Sequence, residues 1–98
     1  MFAYVWEFII EESRAEEFLQ FYKPDGAWVT LFRKDENFIK TELLHDVANP
    51  LRFFTIDYWQ SQEARDEFRR RYADEFARLD EHCAAFTRAE HFQGDFHL

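Results

Sequence analysis

The chain has a single cysteine, two glycines and two prolines among its 98 residues. With Cys83 alone no internal disulfide can form, which fits a reducing cytoplasm. Glycine occurs only at positions 26 and 94, so no Gly-rich loop is available to cradle a phosphate or a dinucleotide. No uninterrupted apolar run approaches the roughly 18 residues a membrane helix needs. The opening "MFAYVWEFIIEE" lacks a basic leader and a small-residue cleavage site, so no signal peptide is expected. Basic residues are also scarce: 12 Lys and Arg stand against 20 Asp and Glu, a formal charge of −8. Such a balance repels phosphate backbones and anionic lipid, and the one basic cluster, "RDEFRRR", is interleaved with acids. Neither a nucleic-acid nor a membrane partner is expected.

Aromatic residues are plentiful. Hydrophobic residues make up 47% of the chain and 13 residues are Phe, enough to build a core and to argue against disorder. The length suits one domain over 1–98. Cys83 falls in an apolar helical stripe and reads as a packing thiol rather than a nucleophile.

Residues 2–10, "FAYVWEFII", have the aromatic and β-branched content of a strand. Ser13 followed by Glu16 matches a capping box and predicts a helix start. After the breaker "KPDG", Trp28, Leu31 and Phe32 have the spacing of a second short helix. Residues 38–46 and 51–59 read as strands joined by a turn at 47–50, hence an antiparallel hairpin. Ser61 is a candidate N-cap for the stripe Phe68, Tyr72, Phe76, Leu79, Cys83 and Phe86. One helix of that length would run ~37 Å at about 1.5 Å per residue, overhanging strands of roughly 30 Å. A break is therefore expected near Ala73–Asp74, with Asp74 capping a new helix. Pairs from Asp66 to Arg70 and Glu67 to Arg71 fit a solvated helix face. A weaker strand is expected over 88–96. The order β-α-β-β-α-β predicts an α+β, ferredoxin-like two-layer sandwich with an antiparallel sheet.

The strands are apolar on both faces. Phe2, Tyr4, Trp6, Phe8 and Ile10 line one side of the first, while Ala3, Val5 and Ile9 line the other, interrupted only by Glu7. In the third strand Phe53, Thr55, Asp57 and Trp59 alternate with Arg52, Phe54, Ile56 and Tyr58. Helices can cover only one face, and a half-solvated sheet should show a polar one. A homodimer built through the open sheet face is the expected solution.

Asp57 shares its strand face with apolar neighbours, so burial should raise its pKa and suit it to take a proton from a phenol or active methylene. The alternative is that it faces a rim, or pairs with an arginine such as Arg52 or Arg88. His45, at the end of the second strand, is a second candidate base or else a solvated strand-end residue. His82, His91 and His97 lie apart and lack metal-ligand spacing, so no metal site is expected.

With a strand-ending Trp59 followed by Ser61, Glu63 and Ala64 in "WQSQEA", and with the hairpin "FIKTELLHD"–"NP"–"FFTIDYW" before it, the chain resembles the antibiotic biosynthesis monooxygenase family. The resemblance spans almost the whole chain. It implies a dimeric α+β barrel and a pocket between sheet and helices bordered by Trp59. It also implies a cofactor-independent monooxygenase or related enzyme acting on a small aromatic or quinone-like molecule. A non-catalytic binding or accessory module of the same fold is the alternative. Phe68 occupies the position where many members carry a helical His, and the first strand lacks the Asn of the haem-degrading members. Neither haem nor flavin is therefore expected. Asp57, His45 and Tyr72 are the candidate catalytic groups. Trp59, Trp6, Phe53 and Phe68 are the candidate walls of a substrate pocket.

Overall fold

The computed structural model describes residues 1–98. Its four strands are β1 (Phe2–Ile10), β2 (Phe38–His45), β3 (Arg52–Trp59) and β4 (Thr87–His97). Its helices are α1 (Ala15–Tyr22), α2 (Ala27–Phe32), α3 (Gln62–Arg71) and α4 (Ala73–Cys83). The sheet order is β2-β3-β1-β4, and every neighbouring pair is antiparallel. This is the ferredoxin-like arrangement that the element order predicts. The aromatic strand β1 lies in the interior of the sheet, where both its edges are paired and its side chains meet neighbours on two sides.

The helices cover the face that carries Phe2, Tyr4, Phe8 and Ile10 of β1 and Phe53, Thr55, Asp57 and Trp59 of β3, all of them buried. Phe18 and Tyr22 of α1 stack on each other at 4.4 Å and meet Phe8 at 5.5 and 4.8 Å. Fully burying each such ring contributes about 1.5–3 kcal/mol. Phe32 of α2 packs on Phe38, Trp59 and Phe68, which brings the α2 and α3 layers onto the end of β3. Gly26 makes the turn between α1 and α2 possible. A Cβ there would stand 2.6 Å from the Gln20 carbonyl oxygen, so only glycine lets the two helices approach so closely.

Several local expectations change in the structure. Ser13 does not cap a helix: a 3-10 turn over Glu12–Arg14 absorbs it, and α1 begins behind Arg14 without a side-chain cap. Ser61 does cap α3, its hydroxyl accepting from the Ala64 amide at 3.1 Å. The break in the long stripe falls at Tyr72, which leaves helical geometry (φ −111°, ψ 28°). Asp74 makes no cap, because the ladder is carried through the kink by the Tyr72 amide to Phe68 and the Phe76 amide to the Tyr72 carbonyl. On α3 the expected Asp66–Arg70 and Glu67–Arg71 pairs are replaced by Glu67–Arg70, one residue closer, and by Arg65–Asp66. Strand β2 stops at His45 because Asp46 turns the chain, its carboxylate accepting from the Ala48 amide at 2.8 Å. Strand β4 runs from Thr87 to His97 and shifts register between Val5 and Trp6 of its partner β1. That shift places Phe92 and Asp95 on the helix side, beside Trp6 and Tyr4. Gly94 at the shift has φ 136°, a conformation that favours glycine.

No helix covers the opposite face. The strand register lays Ala3, Val5 and Ile9 beside Phe54, Ile56 and Tyr58, with Leu44 and Phe96 flanking them. Leu44 is 49% and Phe96 48% exposed. Charge on this face is confined to local clusters. In one, Arg52 Nε donates to Glu7 at 2.6 Å and Nη1 to Asp46 at 3.0 Å, with His91 Nδ1 2.8 Å from the same Glu7. No helix is long and apolar enough to cross a membrane.

Candidate functional site

A cavity of about 460 Å³ lies between the sheet and the helices. Its walls are mostly aromatic: Trp6 and Phe8 from β1, Tyr22 and Trp28 from the α1–α2 region, Phe32 from α2 and Phe76 from α4. Polar groups gather at two ends.

The inner end is built by strand register. Asp57 of β3 lies directly opposite Thr41 of β2 on one side and Tyr4 of β1 on the other. All three side chains point toward the helices, and all are buried. The Thr41 hydroxyl donates to Asp57 Oδ1. Burial pushes the Asp57 carboxyl up to about 6, a rise held back by the Thr41 hydrogen bond, the Arg69 charge and the Tyr4 hydroxyl. The Tyr4 phenol is driven far above its ordinary value by burial and then by the Asp57 charge, so at neutral pH it is a neutral donor.

Arg69 of α3 closes this end from the helix side. Its guanidinium lies over the rings of Tyr4 (5.2 Å) and Phe76 (5.4 Å), and its buried Nε has no hydrogen-bond partner. One turn earlier, Arg65 is occupied structurally. It grips Asp95 with both Nη atoms at 3.1 and 3.3 Å and covers the Phe2 and Tyr4 rings. Asp57 pairs with neither Arg52 nor Arg88, whose partners are Glu7 and Asp46 for the first and Glu11 for the second.

The outer end opens to solvent between Asp80 of α4 and Glu90 of β4. Burial raises the Glu90 carboxyl, the Thr87 hydroxyl opposes that, and the Asp80 charge adds to it. Cys83 is buried behind this end, and desolvation pushes its thiol up to about 11, which keeps it protonated and unreactive. No cluster of three or more His, Cys, Asp or Glu side chains forms a metal cage.

Of the residues singled out from sequence, Asp57 and Trp6 line the cavity. Trp59 does not. It is wholly buried at the strand end, enclosed by Phe32, Phe38 and Phe68 at 5.7, 5.3 and 5.1 Å, because α2 closes down on it where the resemblance implied a pocket border. Phe68 belongs to the same enclosed cluster, and Tyr72 stacks on it at the helix break. Phe53 packs between Phe18 and His45. The His45 imidazole lies flat on Phe53, with Nε2 2.9 Å from the Pro50 carbonyl oxygen, outside the cavity. Tyr4, Thr41 and Arg69 escaped the sequence reading as polar groups of a site. Arg69 looked like solvated helix surface. The available signal was the recurrence of Arg65, Arg69, Phe76 and Asp80 at helical spacing, which puts polar groups on a core-facing stripe.

No family model and no curated protein matches this chain. Solved structures do. A variant of SnoaB, a cofactor-independent oxygenase from Streptomyces nogalater, superposes with a TM-score of 0.77 at 21% identity, over 99% of this chain and 91% of that one. A protein described as an antibiotic biosynthesis monooxygenase aligns at 0.69 with 20% identity, covering 96% of this chain and 97% of its own. A Nitrosomonas europaea protein assigned to the same group aligns at 0.72 with 9% identity, covering 100% and 98%. The fold is that of the antibiotic biosynthesis monooxygenases. In this chain the cavity sits between sheet and helices, with Asp57 at its inner end.

Proposed function

We propose that this protein is a cofactor-independent oxygenase acting on a small aromatic, quinone-precursor type of molecule held in the cavity beside Asp57. The observation that carries the reading is the buried carboxyl itself. It is poised near 6, fixed by Thr41 and Tyr4, and aimed into an aromatic cavity of about 460 Å³. That volume falls within the range of small-molecule pockets, about 300–1,000 Å³. The likeness in fold to SnoaB supports the same chemistry.

In this mechanism the ionised Asp57 takes a proton from an acidic carbon of a phenolic substrate. Arg69 and the Tyr4 hydroxyl stabilise the charge that develops on the substrate oxygen, in a site where water is scarce. The electron-rich anion reduces dioxygen, the new C–O bond gives a hydroperoxide, and loss of water leaves a carbonyl. In sum, one CH2 and one O2 become one C=O and one water. Asp57 returns the first proton to the peroxide oxygen, takes the second C–H proton as the O–O bond breaks, and passes that proton to the departing hydroxide.

The protein works as a homodimer in this reading, a second copy covering the open face around Phe54, Ile56 and Phe96. Stable interfaces remove about 800 Å² per partner. A sheet face carrying Val5, Ile9, Phe54, Ile56, Leu44 and Phe96 supplies the apolar centre for one.

The test is oxygen uptake with a panel of anthrones and hydroquinones. Native protein should consume oxygen faster than heat-denatured protein, and Asp57→Asn should slow it severely. Tight binding of such compounds with no uptake would favour the non-catalytic binding module instead.

A further inference from the structure

Asp57 is the only base at the inner end of the cavity. It is 6% exposed, and its Oδ1 accepts from the Thr41 hydroxyl, which leaves Oδ2 to exchange a proton with a ligand. The groups around it hold protons rather than take them. Tyr4, opposite it in the sheet, is a buried neutral phenol. Thr55, two residues earlier on the same face of β3, brings a hydroxyl to the cavity wall. Arg69 is a cation. The two other carboxylates of the cavity, Asp80 and Glu90, stand at its outer end. A ligand filling the space between separates them from Asp57. A proton taken by Asp57 therefore meets no second base and stays on the carboxyl until the ligand takes it back.

A second observation is an unbalanced cation. Arg69 lines the cavity yet belongs to none of the ion pairs of the molecule, whereas Arg65, one turn earlier, holds Asp95. Its guanidinium lies 5.2 Å from the centre of the Tyr4 ring. Arg69 and the Tyr4 hydroxyl are thus two donors beside one base. They suit an oxygen that gains negative charge as a neighbouring C–H bond breaks. A carboxylate in an apolar cavity with a neutral phenol at hand has the parts of a proton shuttle between two carbons of an enolate.

We infer that the site also catalyses an allylic isomerisation that needs no oxygen, moving the β,γ double bond of a cyclic unsaturated ketone into conjugation with its carbonyl. Asp57 breaks the C–H bond at the α carbon and keeps the proton. The electron pair spreads over the carbonyl and the double bond, and Tyr4 and Arg69 hold the dienolate oxygen. Asp57 then delivers the same proton to the γ carbon. The C=C bond moves to the α,β position, the carbonyl reforms and the carboxylate is restored. Nothing is oxidised or reduced, and no co-reactant enters. A flat dienolate suits walls made of Trp6, Phe8, Trp28 and Phe76. The inference rests on Asp57 being the base of the reaction proposed above, but not on oxygen chemistry.

The test is run under nitrogen with the bicyclic hexahydronaphthalenone whose double bond lies β,γ to the carbonyl. Native protein should convert it to the conjugated isomer, read as a rise in enone absorbance. Asp57→Asn should lose at least about a hundredfold in rate. Its binding of β-naphthol, followed by fluorescence, shows that it is folded. Arg69→Met changes a half-buried helix position outside the packed core and should lower kcat at least about tenfold with little change in KM. In deuterium oxide the new bond at the γ carbon should hold protium in most of the product. No conversion faster than with heat-denatured protein, conversion that survives Asp57→Asn, an undiminished kcat in Arg69→Met, or a new bond carrying only deuterium would overturn the inference. Oxygen uptake on anthrones, measured separately, decides the oxygenase reading. Uptake without isomerisation sinks only the inference, and isomerisation without uptake sinks only the oxygenase.

Discussion

Thr41 and Asp57 face each other across the β2–β3 pairing, and the threonine hydroxyl donates to the buried carboxylate. With Tyr4 on the opposite side, the pairing fixes an acid in a part of the sheet that opens onto a cavity.

Asp57 makes stability depend on pH in a definite direction. Unfolded, its carboxyl ionises near its ordinary 3.8; folded, near 6. Between these values the folded protein holds a proton that the unfolded chain has released. The contribution is complete below about pH 4, declines as pH rises through about 6, and amounts to a loss on the order of 3 kcal/mol above that. Asp57→Asn lacks this dependence. Urea unfolding at about pH 4 and about pH 8 should find the variant gaining on wild type at the higher pH. A constant difference between the two proteins would show that Asp57 is not desolvated.

Phe68→His should cost roughly 1–3 kcal/mol. Phe68 is 1% exposed and touches Phe32, Trp59 and Tyr72, so an imidazole there loses apolar contact and finds no polar partner. Thermal melts read the effect. An unchanged midpoint would mean that the Phe68 surroundings are open rather than packed.

Gly26→Ala should destabilise by about 1–3 kcal/mol, because the clash at 2.6 Å is with the backbone oxygen of Gln20, which cannot swing aside. Neutral behaviour in the same melts would show that the α1–α2 turn relaxes freely.

The fold was legible in the sequence because hydrophobic period and chain punctuation agree along nearly all of it. The alternation in "FAYVWEFII" and "RFFTIDYW" settles the strands, and Ser61 marks a helix start that tertiary packing leaves intact. Ser13 misleads because a capping box competes with a 3-10 turn whose Arg14 amide bonds Glu11. The site was half legible. Asp57 stands out as a carboxylate on an apolar strand face. Trp59 stands out equally, but whether a strand-end aromatic borders a cavity or is sealed by Phe32 depends on where α2 docks, a non-local fact. Arg69 was hidden because a lone cation within "RDEFRRR" has no local pattern that separates it from Arg70, which pairs with Glu67 in solvent.

Ile56→Lys should break the proposed dimer without unfolding the subunit. Ile56 lies midway along β3 on the uncovered face, opposite Val5 and Glu42. Sedimentation at low micromolar concentration should find wild type as a dimer and the variant as a monomer. A folded monomeric wild type, with a melt independent of concentration, would remove the homodimer from the account.

The most direct test of the central claim is the pH dependence of oxygen uptake on a phenolic substrate under saturating oxygen. If Asp57 is the base, kcat/KM rises with pH through about 6 and levels off above it, following the carboxyl of the free protein. Asp57→Asn then leaves only a small residual rate without that limb. A wild-type profile that is flat across this region, or an Asp57→Asn variant that keeps both the rate and the limb, would contradict the assignment.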